Sequence, residues 1–207
     1  RPFPYFKKIY NMACDVTLSG ISYGCDDLGV GGIIALAIAN RAEVITAVGG
    51  VANIDSSTRI VDNASVTALA AIDIMGVQFN LKDGFSVFSE VKTVNADGTT
   101  STVPTVSVEM PKMNQDRVTA LNQLSKAGAE LVAFVQTAAG TYHVVGLDYG
   151  LYAATVDGNS GTGRAEKNRF QLTLTGEENG LSYQFEETVV DDGGKPSWDA
   201  ITFNAVL

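Results

Sequence analysis

Positive charge is scarce in this chain. Its 207 residues hold 14 Lys and Arg against 23 Asp and Glu, with one His, for a net charge of −9. A phosphate backbone is gripped by Lys and Arg. A balance this acidic therefore excludes nucleic-acid binding as the main business of an isolated chain. Adhesion to an anionic membrane surface is disfavoured for the same reason. Cysteine is nearly absent: Cys14 and Cys25 are the only two. Two cysteines do not make a disulfide-stapled scaffold. They read as reduced thiols, and a bond between them requires strands that bring them together. Long apolar runs are missing as well. Spanning a bilayer takes roughly 18–20 apolar residues. The best candidate, residues 30–39, is about half that length and is opened by Gly31 and Gly32. It reads as a buried strand, with the glycines permitting a turn before Ile33.

Histidine is rarer still, which bears on triad and zinc chemistry, while a paired-carboxylate site for glycoside chemistry has no local pattern to support it but stays open, because the acids are scattered. A Ser-His-Asp triad would have to use His143, which sits in an alternating run between Tyr142 and Val144 with no nucleophile motif around it. By the geometric requirements of a triad it reads as a structural or exposed side chain. Asp15, Asp26 and Asp27 lie near the cysteines, but the histidine is far away, so no zinc ligand set forms. There is no Gly-x-Ser-x-Gly elbow and no P-loop, and Gly29-Val-Gly-Gly32 lacks the full dinucleotide fingerprint. Asp157-Gly-Asn-Ser-Gly161 lacks the spaced carboxylates and closing glutamate of a calcium loop and reads as a hairpin tip. The sequence implies no cofactor, no metal and no enzymatic activity.

Apolar residues are plentiful, at 45%, which supports a real core and argues against disorder. Most segments alternate as strands do. Phe170, Leu172 and Leu174 face one way, and Gln171, Thr173 and Thr175 the other. Tyr183 and Phe185 repeat the pattern, and Gly176-Glu-Glu-Asn-Gly180 joins the two runs as a predicted hairpin. Leu131-Val-Ala-Phe-Val135 is continuously apolar, as a strand covered on both faces would be. Ala139-Gly140 then turns the chain into Thr141-Tyr-His-Val-Val145, a second hairpin. Residues 87–94 and 103–110 flank the polar tip 95–101 of a third. Pro104 lacks an amide donor, which places it at an edge or irregular position. One helix is predicted over about residues 115–127. Asn114 caps it, Val118, Leu121 and Leu124 share a side, and Gly128 ends it. Residues 67–72 are ambiguous and lean to a strand. The fold class is mainly β: one all-β domain, or nearly so, with a single α-helix packed on a sheet. Residues 1–11, with three positive charges and two prolines, break from the composition of the rest. They read either as a leader or as an arm that docks on a neighbour, with residues 12–207 forming a single β-rich domain.

Acids concentrate towards the end. Between Glu177 and Leu207 seven acids (Glu177, Glu178, Glu186, Glu187, Asp191, Asp192 and Asp199) face only Lys195, giving −6 of the chain's −9. Such a surface aids solubility, repels anions, or meets a basic partner such as the 164–169 stretch of another copy.

The order of short phrases carries a resemblance. Met12-Ala-Cys-Asp-Val-Thr and Gly20-Ile-Ser-Tyr-Gly-Cys25 lead to Val30-Gly-Gly-Ile-Ile34. Then come Val106-Ser-Val-Glu-Met-Pro-Lys-Met113, Leu131-Val-Ala-Phe-Val135, Tyr142-His-Val-Val-Gly146, Gly150-Leu-Tyr152 and Phe170-Gln-Leu-Thr-Leu-Thr-Gly-Glu-Glu178. Over residues 12–187 this layout resembles structural proteins of tailed bacteriophages, particularly those infecting Bacteroidetes, and most of all tail tube proteins. The resemblance implies a tail-tube-like fold, a β-sandwich or barrel with one packed α-helix, in a virion component that assembles in the host cytoplasm into rings, usually hexameric, which stack into a tube and join other tail proteins. DNA would pass through without specific binding, and no membrane is involved. Head–tail joining rings and other virion subunits are neighbouring readings, and a secreted β-sandwich adhesin or fimbrial subunit is a rival one.

On that reading a DNA conduit benefits from an acidic, non-sticky bore. Candidate acidic lining or surface residues are Glu90, Glu109, Glu177, Glu178, Glu186, Glu187, Asp191 and Asp192. Long hairpins suit pairing between subunits, because open strand edges seek partners. Candidate inter-subunit contacts are Phe85, Val87, Val106 and Val108 on the 85–94 and 103–110 strands, Gly158, Gly161, Arg164, Lys167 and Arg169 in the 157–169 loop, and Phe3 and Tyr5 in the arm.

Overall fold

Leu131-Val-Ala-Phe-Val135 organises the molecule, because each of its side chains is buried. The computed structural model describes residues 16–18, 21–23, 31–50, 59–61, 68–69, 73–80, 86–163, 166, 168–185 and 202–206. The chain divides into two compact units, residues 1–30 and 31–207. In the first unit, β1 (Val16–Leu18) and β2 (Ile21–Tyr23) form an antiparallel pair.

The second unit is mainly β. Its strands are β3 (Ile33–Asn40), β4 (Ile60–Val61), β5 (Asp73–Asn80), β6 (Val87–Val94), β7 (Thr100–Pro111), β8 (Leu131–Thr137), β9 (Tyr142–Val145), β10 (Leu151–Asn159), β11 (Arg169–Gly176), β12 (Tyr183–Phe185) and β13 (Thr202–Val206). Among the described residues they join one eleven-stranded sheet. Its main path runs β13-β5-β3-β8-β10-β11-β7-β6, and a branch leaves β8 through β9 to β12 and β4. Among the described residues the sheet does not close: β13 and β6 stand at its two ends.

β8 lies at the fork. Residues 133–136 pair with β9, while Leu131 alone pairs with Leu151 of β10. The fork leaves apolar side chains on both faces of the strand. One face packs Leu131, Ala133 and Val135 with Leu36 and Ile38 of β3, with Val106, Val108 and Met110 of β7, and with Phe170, Leu172 and Leu174 of β11. The other packs Val132 and Phe134 with Val144, Leu147 and Tyr183. Full burial of each large apolar side chain stabilises the fold by about 1.5–3 kcal/mol.

Two helices cover these faces. α1 (Arg41–Ala47) starts at Asn40, whose side chain accepts the Ala42 amide at 2.9 Å, and buries Val44 in the second core. α2 (Gln115–Leu124) starts at Asn114 and buries Ala120, Leu121 and Leu124 in the first. The single-helix expectation thus misses α1, a seven-residue helix whose β-branched Val44, Ile45 and Thr46 weaken its signal. α2 is also shorter than expected. It stops at Leu124, where its apolar stripe ends, and Gly128 (φ +78°) belongs to the turn that follows.

Three hairpin expectations meet the sheet differently. β6–β7 and β8–β9 pair as read. β11 and β12 are both strands but not partners. β11 pairs with β7 and β10, whereas β12 pairs with β9 and β4. The 176–180 linker does not fold back, because Glu178 forms a two-way backbone bridge with Thr102 (2.8 and 3.1 Å) that continues the β11–β7 register and keeps the chain running along β7. The lean to a strand over 67–72 fails at Ala68 and Leu69, which are helical. Pro104 pairs with Glu90 just beyond the β11 ladder, which reaches only Thr105.

Gly146 sets the path from β9 to β10. Its φ is +91°, and a Cβ there would lie 2.5 Å from the Leu131 carbonyl oxygen and 2.8 Å from Leu151 Cγ. Left-handed strain and overpacking together give Gly146→Ala an expected cost of about 3 kcal/mol, read as a lower denaturant midpoint at unchanged slope.

Candidate functional site

The alternation that fills the core leaves an opposite face on β6, β7, β11 and β10. Odd-numbered residues of β6, β7 and β11 point there. The ladders set them in rows: Val91 beside Val103; Ser89, Thr105, Thr175 and Tyr152; and Val87, Ser107, Thr173 and Thr155. The face is rich in hydroxyls and poor in charge. Gln171 donates to Ser107 Oγ at 3.2 Å, and Thr175 Oγ1 donates to the Pro104 carbonyl at 3.1 Å. Its described cation, Arg169, is ion-paired with Glu109.

β6 bounds this face. It runs eight residues, and among the described residues only β7 pairs with it. Val87 and Val91 are 51% and 61% exposed, and Val103 beside Val91 is also exposed. A long strand edge with exposed valines and unpaired backbone groups is a template for another strand.

Side chains on the inner side of β6 tie it to the branch. Phe88 lies against the His143 ring, centroids 5.4 Å apart. Glu90 accepts the Ser182 amide at 2.6 Å and the Ser182 hydroxyl at 3.0 Å. His143 Nδ1 meets the same hydroxyl at 2.9 Å, and Nε2 meets Thr141 Oγ1 at 3.0 Å. Serine thus stands between the carboxylate and the imidazole, whereas a catalytic triad places the imidazole between the other two. Burial raises the Glu90 pKa, with the Ser182 donors and Arg59 offsetting part of the rise, and burial lowers that of His143.

A buried ionic cluster lies where the 146–150 loop, β4, β12 and the 177–181 segment meet. Gly146 and Gly150, both at positive φ, bracket the loop that carries Asp148. Arg59 contacts Asp148 Oδ2 at 3.1 Å and Glu178 Oε2 at 3.5 Å, donates from Nε to the Leu181 carbonyl, and stacks 3.9 Å above the Tyr183 ring. The Tyr183 hydroxyl donates to Asp148 Oδ1 at 2.7 Å. The Asp148 amide donates to Glu178 Oε2 at 3.2 Å. Arg41 holds the loop from outside, donating to the Leu147 and Asp148 carbonyls and pairing with Glu130. Burial and the adjacent Asp148 carboxylate push Glu178 up to about 8. Burial also opposes ionisation of Asp148, but donors from Tyr183, Glu178 and Arg59 outweigh it and hold that carboxyl below its usual range.

These positions correct several expectations. Val106 and Val108 are wholly buried and belong to the core, not to a surface contact. Glu109 is buried and paired with Arg169, so neither is a free surface charge. Glu178 is 3% exposed and Glu90 is half-buried beneath β6, so neither offers a free acidic surface. Glu177 and Val87 are exposed. Gly158 is exposed at the end of β10, and Gly161 lies in the following turn at φ +76°. Phe3, Tyr5, Phe85, Arg164, Lys167, Glu186, Glu187, Asp191 and Asp192, with Cys14 and Cys25, lie outside the described residues. Arg59, Asp148 and Tyr183 were not expected in a site. The available signal was Gly-Leu-Asp-Tyr-Gly at 146–150, an acid held between turn glycines.

Among the described residues no helix is long and apolar enough to cross a membrane. Comparison with protein-family models, with curated proteins and with solved structures finds no match.

Proposed function

We propose that this chain is a structural subunit of a phage tail tube, assembling with copies of itself into rings that stack around a DNA-conducting bore. The observation that carries the reading is β6, an eight-residue open edge with exposed valines at the margin of a hydroxyl-rich sheet face poor in charge. Backbone groups along such an edge gain hydrogen bonds by pairing with a neighbouring sheet, and a closed ring leaves no edge over. The first core draws side chains from β3 and β8 and from β7 and β11, which supports an open sandwich of the kind the tail-tube resemblance implies.

The hydroxyl-rich face suits the bore. DNA binding draws on Lys and Arg that release phosphate counterions. Arg169 is neutralised by Glu109, so the described face offers no unpaired cation. The account of DNA passage therefore shifts from a wall of many free acids to a hydroxyl-rich wall with few charges, exposed Asp157 among them, on a subunit of net charge −9.

Light scattering over a concentration series tests the reading. The expected result is a mass that rises to a ring multiple of the 21.8 kDa chain and beyond. A monomer at every concentration overturns it.

A further inference from the structure

Glu178 joins the ionic cluster to the assembly edge. Its backbone bridges Thr102 of β7, one residue from Val103, and its side chain turns into the cluster. The charges there do not balance if both acids ionise. One guanidinium, Arg59, faces two buried carboxylates, Asp148 and Glu178. Arg41 is directed to the Leu147 and Asp148 carbonyls and to Glu130. The other titratable groups around the cluster are Tyr183 on β12, which donates to Asp148, and Glu90 on β6, within the field of Arg59.

The hydrogen bonds point the same way. Glu178 Oε2 has the Asp148 amide and Arg59, but Glu178 Oε1 is buried without a partner, and so is Thr102 Oγ1. An ionised carboxylate would leave Oε1 as bare buried charge, a state that costs several kcal/mol. A proton on the Glu178 carboxyl removes that charge and leaves Asp148 alone to pair with Arg59.

We propose that Glu178 is a proton-operated clasp on the β6–β7 edge, holding the 177–180 segment against Thr102 while protonated and releasing it when ionised. The proposal rests on the assembly reading for its consequence: alkali loosens the strand beside Val91 and Val103 and disassembles the tube. The carboxyl's position near 8 sets the upper end of the range over which rising pH weakens the clasp, which begins near its ordinary value of 4.5. The balance is one proton, passed from the Glu178 carboxyl to solvent hydroxide.

The test follows assembly by light scattering from about pH 6 to about pH 10 in the wild type and in Glu178→Gln, which keeps shape without titrating. The wild type is expected to lose assembly as pH rises, with a midpoint no higher than about 8, and the variant to stay assembled at least one pH unit higher. The same midpoint in both overturns the clasp. If neither assembles at any pH, the tube reading fails and the clasp is judged on the monomer. There, amide exchange at Thr102 and Glu178, corrected for intrinsic rate, is expected to rise at least tenfold across the same range in the wild type only; an equal rise in both overturns it. Should Glu178→Gln not fold, infrared titration of the wild type decides. A protonated-carboxyl band that persists at neutral pH and disappears on alkalinisation supports the clasp, and its absence at neutral pH contradicts it.

Discussion

Arg59→Met is expected to destabilise the protein by about 3–5 kcal/mol at neutral pH, the usual cost of removing one partner from a buried ion pair. Methionine keeps much of the length and its packing on the Tyr183 ring, so the loss isolates the charge. Asp148, whose side chain is 6% exposed, loses its cation, and the Leu181 carbonyl loses its donor. The double variant Arg59→Met with Asp148→Asn removes the stranded charge and is expected to recover part of the loss. Urea denaturation measures both. A loss below about 1 kcal/mol would place the cluster in the class of exposed pairs instead.

Stability should also slope with pH. Glu178 is held up to about 8 in the fold and titrates near its ordinary value of 4.5 when unfolded. The folded state therefore binds more protons between these values, and stability falls as pH rises from about 4.5 to about 8. Glu178→Gln is expected to flatten this part of the profile.

The second large effect concerns assembly. Lysine on an edge strand opposes pairing by charge and hydration. Val87→Lys with Val91→Lys places two charges on the outer row of β6, where both side chains already face solvent. The expected result is a complete shift to monomer in sedimentation velocity. Monomer stability should change by no more than about 1 kcal/mol, since exposed substitutions rarely cost more. Retention of full assembly would move the interface away from β6.

Much of the fold is legible in the sequence where one local pattern decides the outcome. Residues 131–135 are apolar without a break because both faces of β8 are covered. Asn114 and the Val118, Leu121 and Leu124 spacing mark α2 because capping and burial coincide. Strand partners are less legible. Phe170, Leu172 and Leu174 alternate equally well whether β11 meets β12 or β7, and the partner it takes is β7, a strand far away in sequence, in a register that the Thr102–Glu178 bridge extends.

The site was least legible for the same reason. Arg59, Asp148, Glu178 and Tyr183 come from four separate segments and share no spacing. Glu109 lies at an alternating, outward position, and only the structure reveals Arg169 beside it. Acids read as free surface charge from composition are thus divided by tertiary neighbours: Glu177 faces solvent while Glu178, the next residue, is buried.

Negative-stain microscopy of the purified protein at high concentration addresses the central claim most directly. Open sheet edges that pair copy to copy predict closed rings and hollow tubes of uniform diameter, absent from the two-lysine β6 variant. Separate single-subunit particles in the wild-type field, with no ring or tube among them, would contradict it.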